Sequence, residues 1–274
     1  MPRVTTFEVT ADTSHFNPLQ MQPRAILAIS FNGLARWLRE HLVSFPELIG
    51  EHRCSLVILG AGTTYAAPLG FFDGAGFEVR VTLRVLRGGT RAELVAEFHG
   101  RHGLAARARI LLCPVRIEDA VSLAATPAAL DAALLERFQQ DEIDPSSPTR
   151  PLEGLRTRIE KSGEPLGGAT REFVIRRHLC EVADQWAFSE VPGLIGGGRE
   201  ALALERSRDV PELRDALSRP LLQLEFELMR PYFWFQPGKV ETTAYRWEKR
   251  LALVHRLLSP VPGEELHGIA VELF

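Results

Sequence analysis

The spacing of hydrophobic residues changes several times along the chain, and each change predicts a different element of secondary structure. Between residues 23 and 42, apolar side chains recur at intervals of three and four, and charged side chains lie opposite them. That spacing predicts one long amphipathic helix. Runs that alternate or are rich in β-branched residues, bounded by Gly or Pro, predict strands. In the first half these runs are residues 5–10, 54–65, 76–88, 91–100 and 105–117.

The second half of the chain repeats this order. Two short matches fix the register of the repeat. Ala11-Asp12 aligns with Ala183-Asp184, and Pro68 precedes the strand predicted at 76–88 by the same number of residues as Pro231 precedes the strand predicted at 239–250. Each half is therefore predicted to contain a strand, a loop, one long helix and four antiparallel strands, with the helix covering one face of the sheet. In the second half the helix is at 193–207, and the strands are at 171–182, 221–234, 239–250, 251–260 and 266–274.

The segment between the two halves has a different composition. Thr126 and Pro127 are placed as the N-cap and the first residue of a helix rich in Ala and Leu. Residues 144–170 are rich in Pro, Ser, Gly and charge, which is typical of a surface linker. The predicted organisation is a first domain at 1–143 that ends in a helix, a linker at 144–170, and a second domain at 171–274.

The composition excludes several classes of protein. The 274 residues are 45% hydrophobic and 24% charged, as in ordinary soluble domains. The longest apolar runs fall short of the roughly 18–20 residues that span a membrane, and no signal peptide is evident. Cys54, Cys113 and Cys180 are too widely spaced for a disulfide framework, so a reducing, cytoplasmic location is expected. The net charge of −3 and the scattered basic residues argue against nucleic-acid binding.

Familiar cofactor motifs are missing from the sequence. There is no Walker-type loop, no HExxH and no GxSxG, and the "GLIGGG" run lacks the spacing of a dinucleotide fingerprint. His99 and His102 could hold a metal only with a third ligand, and none is near them in the sequence. We therefore expect no cofactor and no metal.

The loop after the first strand carries the strongest candidate chemistry. Asp12, His15 and Asn17 form an Asp-x-x-His-x-Asn pattern that resembles the loop before the central helix of hot-dog acyl-thioesterases. His15-Phe16 followed by Pro23 also resembles the start of the motif of β-hydroxyacyl-carrier-protein dehydratases. That motif continues with Gly and an acid on the helix, whereas this chain has Arg24 and an apolar helix face.

Taken with the repeat, the resemblance implies an α+β double hot-dog fold, similar to the 4-hydroxybenzoyl-CoA thioesterase superfamily. Two antiparallel curled sheets would each wrap around a long helix, and a site would be shared between the halves. In the repeat alignment, Ala28-Ile29 corresponds to Glu200-Ala201, so one half would supply His15 and the other the carboxylate of Glu200. A carboxylate in an apolar groove has a raised pKa and can act as a base.

Structural interpretations of the same residues stay open. Asp12 and Asn17 could stabilise the turn, and Glu200 could be a solvated residue near the start of its helix. Residues 196–198 (Gly196, Gly197 and Gly198) are expected at the start of the second helix, where unpaired N–H groups could bind a thioester oxygen; a flexible turn is the alternative. Asp184 and Glu190 are lesser candidates, and the aromatic cluster at 230–237 is expected to pack in the core or between the halves rather than to line a substrate groove.

Three functions are compatible with these residues. The leading hypothesis is an acyl-thioesterase acting on thioesters of coenzyme A or acyl carrier protein, in fatty-acid or polyketide-type biosynthesis. The second is a 3-hydroxyacyl-thioester dehydratase or isomerase with a split His/Glu site, or a related acyltransferase or decarboxylase. The third is a non-catalytic protein that binds acyl chains or a carrier protein. The expected partner is an acyl thioester substrate, and neither nucleic acid nor a membrane is expected to bind. The two halves would form a pseudo-dimer within one chain, and two chains could pair further as a homodimer.

Overall fold

The computed structural model describes residues 3–67, 69–119, 123–138, 151–181, 183–260 and 265–274. The chain divides into two compact units. The first unit comprises Met1–His15 and Ala25–Pro148, and the second comprises Phe16–Arg24 and Thr149–Phe274. None of the helices among the described residues is both long enough and apolar enough to span a membrane.

The first unit follows the predicted sequence of elements. Its five main strands are antiparallel and lie in the order β1-β3-β4-β5-β2, and the short strand β6 pairs with β5. The elements are β1 (Val4–Thr10), α1 (Pro23–His41), α2 (Phe45–Gly50), β2 (Cys54–Tyr65), β3 (Gly76–Leu86), β4 (Arg91–Gly100), β5 (Gly103–Asp119), β6 (Ala124–Pro127) and α3 (Ala132–Leu135).

Helix α1 packs on the sheet through its apolar stripe. Leu34, Trp37 and Leu38 on that stripe are almost completely buried. Gly33 lies so close to β3 that a Cβ atom at this position would come within 2.6 Å of Val81. The absence of a side chain at Gly33 therefore lets the helix approach the sheet closely.

The second unit repeats the same topology. Its sheet has the order β7-β9-β10-β11-β8, so the first, third, fourth, fifth and second strands of each unit lie side by side in that order. The elements are α4 (Pro151–Ser162), β7 (Glu164–Val174), α5 (Val191–Arg206), α6 (Pro211–Leu217), β8 (Gln223–Leu228), β9 (Pro237–Trp247), β10 (Arg250–Leu258) and β11 (Leu266–Leu273). In each unit the strands are antiparallel and a long helix follows the first strand, which confirms the predicted α+β double hot-dog fold.

Both faces of the second sheet are covered by helices. On one face, Leu202 of α5 packs against Ala244 and Leu253. On the other face, Leu152 and Ile159 of α4 pack in a separate apolar cluster. That cluster includes Ala252, Val254, Ile269 and Val271.

The segment predicted as a linker is structured from residue 151 onward, and that part of the prediction is wrong. Residues 151–162 form α4 and residues 164–170 begin β7, whereas 144–150 lie outside the described residues. The second compact unit accordingly includes residues 151–170, which the prediction had left outside the second domain. The charge that is typical of a linker occupies the exposed face of α4, because only its apolar stripe is buried.

The helix predicted to begin at Thr126 is also displaced. Thr126 belongs to β6 and pairs with Arg116 of β5. The helix α3 starts later and is short, and its N-cap is Asp131, whose carboxylate accepts the Leu134 N–H at 2.8 Å. Pairing with a strand edge thus outweighs the local N-cap signal at residues 126–127.

Candidate active site

The loop between β1 and α1 is held by its own polar side chains. Asp12 Oδ1 accepts hydrogen bonds from the Ser14 hydroxyl at 2.6 Å and the Ser14 N–H at 2.8 Å. The hydroxyl bond, aided by the backbone bond, lowers the pKa of Asp12 below its usual value. Asp12 therefore fixes the single helical turn at residues 13–15 that carries His15.

Asn17 performs a similar task a few residues later. Its Oδ1 accepts the N–H groups of Leu19 at 2.9 Å and Gln20 at 2.8 Å. Its own N–H donates to the Gln20 carbonyl at 2.9 Å. Asn17 thus closes a compact turn, which agrees with the structural interpretation of this residue.

His15 is the last residue of the helical turn that Asp12 fixes. The imidazole is half-buried and its edge faces the ring of Phe77, with 6.4 Å between centroids. The His15 N–H donates to the Asp12 carbonyl at 3.0 Å. The rigid loop therefore presents an imidazole supported by an aromatic ring, which is suitable for a proton-transfer group.

Glu200 does not have the environment expected of it. It lies on α5 and is exposed, so the expectation of a carboxylate in an apolar groove is wrong. Glu200 belongs to the second unit and His15 to the first. Their pairing in one site stays a prediction.

The three consecutive glycines are not at the start of α5, and that expectation is wrong as well. The helix begins at Val191, which places residues 196–198 in its second and third turns. Only the first four N–H groups of a helix lack a partner within it, so those of 196–198 are used by the helix itself. The reasoning that made them an oxyanion hole therefore fails.

Close packing explains Gly197 and Gly198 instead. A Cβ on Gly197 would come within 1.4 Å of the Arg171 guanidinium. A Cβ on Gly198 would come within 2.6 Å of Thr242 Oγ1 and 2.9 Å of Val240. The glycines thus let α5 approach β7 and β9 more closely than any side chain would allow.

Under Gly198 lies a buried polar network that the sequence analysis did not find. Thr242 and His255 are cross-strand partners on β9 and β10, with 2.9 Å between Thr242 Oγ1 and His255 Nδ1. His255 Nε2 lies 3.4 Å from a carboxylate oxygen of Glu272, and Arg199 of α5 donates to the other oxygen at 2.5 Å. The exposed fractions of Thr242, His255 and Glu272 are 1%, 0% and 2%.

The network keeps a carboxylate charged inside the second unit. Burial by itself would raise the pKa of Glu272, but the charge of Arg199 and the hydrogen bond from His255 outweigh it and lower the pKa. A signal was present in the sequence. His255 and Glu272 interrupt strands that are otherwise almost wholly apolar, at positions that alternate with the residues facing α4.

Residues 183–190, which align with the histidine-bearing stretch of the first unit, contain no histidine. Asp184 adopts a left-handed backbone with φ of 52°, and Glu190 immediately precedes α5, where its carboxylate lies 3.5 Å from Arg24. A negative charge is favourable at this end of a helix. Both lesser candidates therefore have structural roles in the turn and at the helix start.

The aromatic cluster at 230–237 divides into a buried and an exposed part. Tyr232 is fully buried, stacks on His267 with 3.8 Å between centroids, and donates its hydroxyl to the Leu258 carbonyl. The expectation of core packing holds for this residue. It is wrong for the next three, because Phe233, Trp234 and Phe235 are 48%, 39% and 58% exposed.

The two histidines considered as metal ligands have other neighbours. His99 Nε2 lies 3.5 Å from Glu97, and His102 accepts a hydrogen bond from Arg101 at 2.8 Å. Within the described part of the chain, no group of three His, Cys, Asp or Glu side chains is arranged to hold a metal ion.

Topology and loop together define a double hot-dog protein with a histidine-bearing loop before its first central helix. No family model matches the sequence. No curated protein matches it either. Solved structures, however, share the fold over nearly the whole chain.

Three of these structures are similar at TM-scores above 0.6. A structure described as an oleoyl thioesterase from Lactobacillus plantarum has a TM-score of 0.74 and 9% identity, with 99% of this chain and 95% of that chain covered. The 12:0-ACP thioesterase from Umbellularia californica has a TM-score of 0.69 and 10% identity, with 98% and 93% covered. An acyl-ACP thioesterase from Bacteroides thetaiotaomicron has a TM-score of 0.61 and 10% identity, with 99% and 97% covered.

Proposed function

We propose that this protein hydrolyses acyl thioesters, releasing a carboxylic acid and a free thiol. The observation that supports the proposal most is the similarity of the whole double hot-dog chain to structures described as acyl-ACP and oleoyl thioesterases. The substrate class would be an acyl chain on coenzyme A or on a carrier protein, in fatty-acid or polyketide-type biosynthesis. Because a fold by itself hosts many activities, the proposal also depends on the loop that carries His15.

In this proposal His15 is the proton-transfer group. Its imidazole removes a proton from a water molecule as the water oxygen attacks the thioester carbonyl. The resulting C–O bond forms before the C–S bond breaks, and the same imidazole returns the proton to the departing sulfur. Asp12 and Asn17 hold the loop in place through the hydrogen bonds to Ser14, Leu19 and Gln20.

The negative oxygen of the intermediate needs a hydrogen-bond donor. The N–H groups of the first turn of α5 lack partners in the helix, and Gly193 in that turn is exposed. Gly193 therefore replaces the three buried glycines as the candidate donor. Glu200, two residues beyond Gly198 on α5, is retained as the second candidate acid–base group. The roles of Gly193 and Glu200 both rest on the proposed pairing of the second unit with His15.

The experiment is a thiol-release assay on a panel of acyl-CoA and acyl-carrier-protein thioesters. His15→Ala should lower kcat by about 100-fold or more, because general acid–base catalysis typically contributes 10²–10⁴-fold. Ser14→Ala is a matched control in the same loop, since it alters the turn and keeps the imidazole. Full activity in His15→Ala would remove His15 from the mechanism, and intact thioester with loss of water would indicate a dehydratase.

A further inference from the structure

A cluster of solvent-exposed aromatic side chains follows β8 in the second unit. Phe233, Trp234 and Phe235 are consecutive and between 39% and 58% exposed. We call these three residues the aromatic turn. Contiguous exposed aromatic side chains commonly mark a surface that binds another molecule.

The aromatic turn is held rigidly by hydrogen bonds. Gln236 closes it twice: its side-chain oxygen accepts the Phe233 N–H, and its N–H donates to the Phe233 carbonyl, both at 3.0 Å. The Trp234 N–H donates to Asp184, and the Phe235 N–H donates to Ile175. A rigid aromatic surface loses little entropy on binding, which favours affinity.

Backbone conformation also indicates that the exposure is not incidental. Phe235 has a φ of 61°, a left-handed conformation that is unfavourable for a bulky side chain. Such conformations persist where the surrounding structure enforces them, and they concentrate at functional sites. Here the enforced conformation carries an aromatic ring that is more than half exposed.

Positive charge lies beside the aromatic turn. The guanidinium of Arg177 stacks on Trp234 at 3.8 Å from the ring centroid, and Phe235 also stacks on Trp234, with 4.5 Å between centroids. Arg176 and His178 are exposed neighbours of Arg177 in the chain, and the exposed Asp184, whose carbonyl accepts the Trp234 N–H, places one negative charge beside the two arginines. Among the residues that the structure describes, no carboxylate lies within 4.0 Å of Arg176 or Arg177.

The first unit contains the same turn at the matching position of the repeat. Asp73 accepts the Gly70 N–H through its side chain and donates its own N–H to the Gly70 carbonyl, as Gln236 does with Phe233. The two residues between are again aromatic, with Phe71 37% and Phe72 94% exposed. An exposed aromatic pair at the centre of this turn is therefore a feature of both units.

We infer that the aromatic turn and Arg177 dock an acidic acyl carrier protein that brings the thioester substrate. This inference rests on the proposed function. Rigid aromatic residues and arginine are the side chains that contribute most of the energy in protein interfaces. Unpaired arginines on the rim attract an acidic partner and increase its rate of association.

Two other occupants fit the surface less well. Attraction to an anionic membrane typically needs a cluster of four to eight Lys or Arg residues, whereas two arginines and one histidine lie here. In a two-fold contact centred on this surface, the arginines of the two copies would lie near each other, and like charges repel. A carrier protein satisfies both the aromatic and the charged components.

The test measures the dissociation constant for a carrier protein that carries a dodecyl chain through a non-hydrolysable thioether. Trp234→Ala and Phe235→Ala should each raise this constant by about tenfold or more. Arg177→Glu should also raise the dissociation constant, and by a larger factor at low salt than at high salt, because salt screens the lost attraction. Leu204→Ala is the matched control, because Leu204 is an apolar side chain that is 83% exposed on α5. The rate of dodecanoyl-CoA hydrolysis should stay within twofold in all four variants.

Several results would overturn the inference. One is a carrier-protein dissociation constant that changes less than twofold in Trp234→Ala. Another is a loss of dodecanoyl-CoA hydrolysis in Trp234→Ala that is as large as its loss of carrier-protein binding. The aromatic turn would then act on the fold or on catalysis. An unchanged constant with loss of binding to phosphatidylserine vesicles, or with loss of a dimer, would assign the surface to a membrane or to a second copy. If the wild type hydrolyses no thioester, the proposed function fails, and the dissociation constants still decide the docking surface.

Discussion

The buried network around Glu272 allows a quantitative prediction. Glu272→Gln keeps the shape of the side chain but removes the charge that faces Arg199 and His255. Breaking a buried ion pair costs about 3–5 kcal/mol. The Arg199 side chain is 23% exposed and can recover part of its hydration, so we expect a loss of about 2–3 kcal/mol in the free energy of unfolding. With a urea dependence of about 2 kcal/mol per molar, the midpoint should fall by roughly 1 M.

The pH dependence of this loss gives a second, independent check. The pKa of Glu272 is lowered in the folded protein, so its stabilising contribution is complete above the unfolded pKa of about 4.3. That contribution disappears as the pH falls through the lower, folded pKa. The wild type should therefore exceed Glu272→Gln in stability at pH 7, and the difference should shrink below about pH 4.

Tryptophan fluorescence during urea unfolding is a suitable assay. Three of the four tryptophans (Trp186, Trp234 and Trp247) lie in the second unit with the network. Glu153→Gln is the control, since it removes an exposed ion pair with Arg156 on α4 and should cost less than about 0.5 kcal/mol. A loss below 1 kcal/mol in Glu272→Gln, or a loss that is the same at pH 7 and pH 3, would refute the reasoning.

Two further predictions concern single positions. Gly198→Ala should destabilise the protein by about 1–3 kcal/mol in thermal or urea unfolding, because its Cβ would overlap Thr242. Gly196→Ala is the control and should be neutral or stabilising, because the nearest neighbour of its Cβ would be 3.4 Å away. Equal effects of the two substitutions would contradict the packing argument. Ser14→Ala should raise the pKa of Asp12 toward its usual value when the carboxyl is followed by NMR titration, and an unchanged pKa would show that the Ser14 hydrogen bond is not its main cause.

The architecture was predictable because hydrophobic periodicity and the repeat agree with each other. Strands β2 and β4 have the predicted bounds, and α1 begins at the predicted Pro23. Gly88, Gly89 and Gly103, which lie next to the ends of predicted strands, have positive φ values, as hairpin turns require. Local patterns succeed here because the same residues satisfy both turn chemistry and burial.

Tertiary pairing explains where the sequence interpretation was wrong. Thr126 pairs with β5 although the local sequence is typical of a helix N-cap. The apolar residues of α4 alternate with charged residues that face solvent, so the composition of this segment resembles that of a linker. The start of α5 was misplaced because three glycines suggest a helix terminus, whereas here Gly197 and Gly198 allow close contact with Arg171 and Thr242. A sequence shows that a side chain is missing and does not show which neighbour occupies the space.

The site was predictable only in part for a related reason. His15 and its turn residues are neighbours in sequence, so the pattern Asp-x-x-His-x-Asn was visible. The network of Thr242, His255 and Glu272 joins three strands and becomes recognisable only when their register is known. The exposure of Glu200 likewise could not be predicted, because the rotation of α5 decides which of its side chains face the sheet. The prediction placed residues 196–198 at the start of the helix, whereas α5 begins at Val191.

The central claim is that water cleaves the thioester bond, and its most direct test is hydrolysis in water enriched in oxygen-18. Dodecanoyl-carrier protein or dodecanoyl-CoA is incubated with the wild type and with His15→Ala, and thiol and acid are both quantified. Hydrolysis predicts one oxygen-18 atom in each acid released, one thiol for each acid, and a rate about 100-fold lower in His15→Ala. An intact thioester after prolonged incubation across the acyl panel, or an unsaturated thioester formed from a 3-hydroxyacyl substrate, would contradict it.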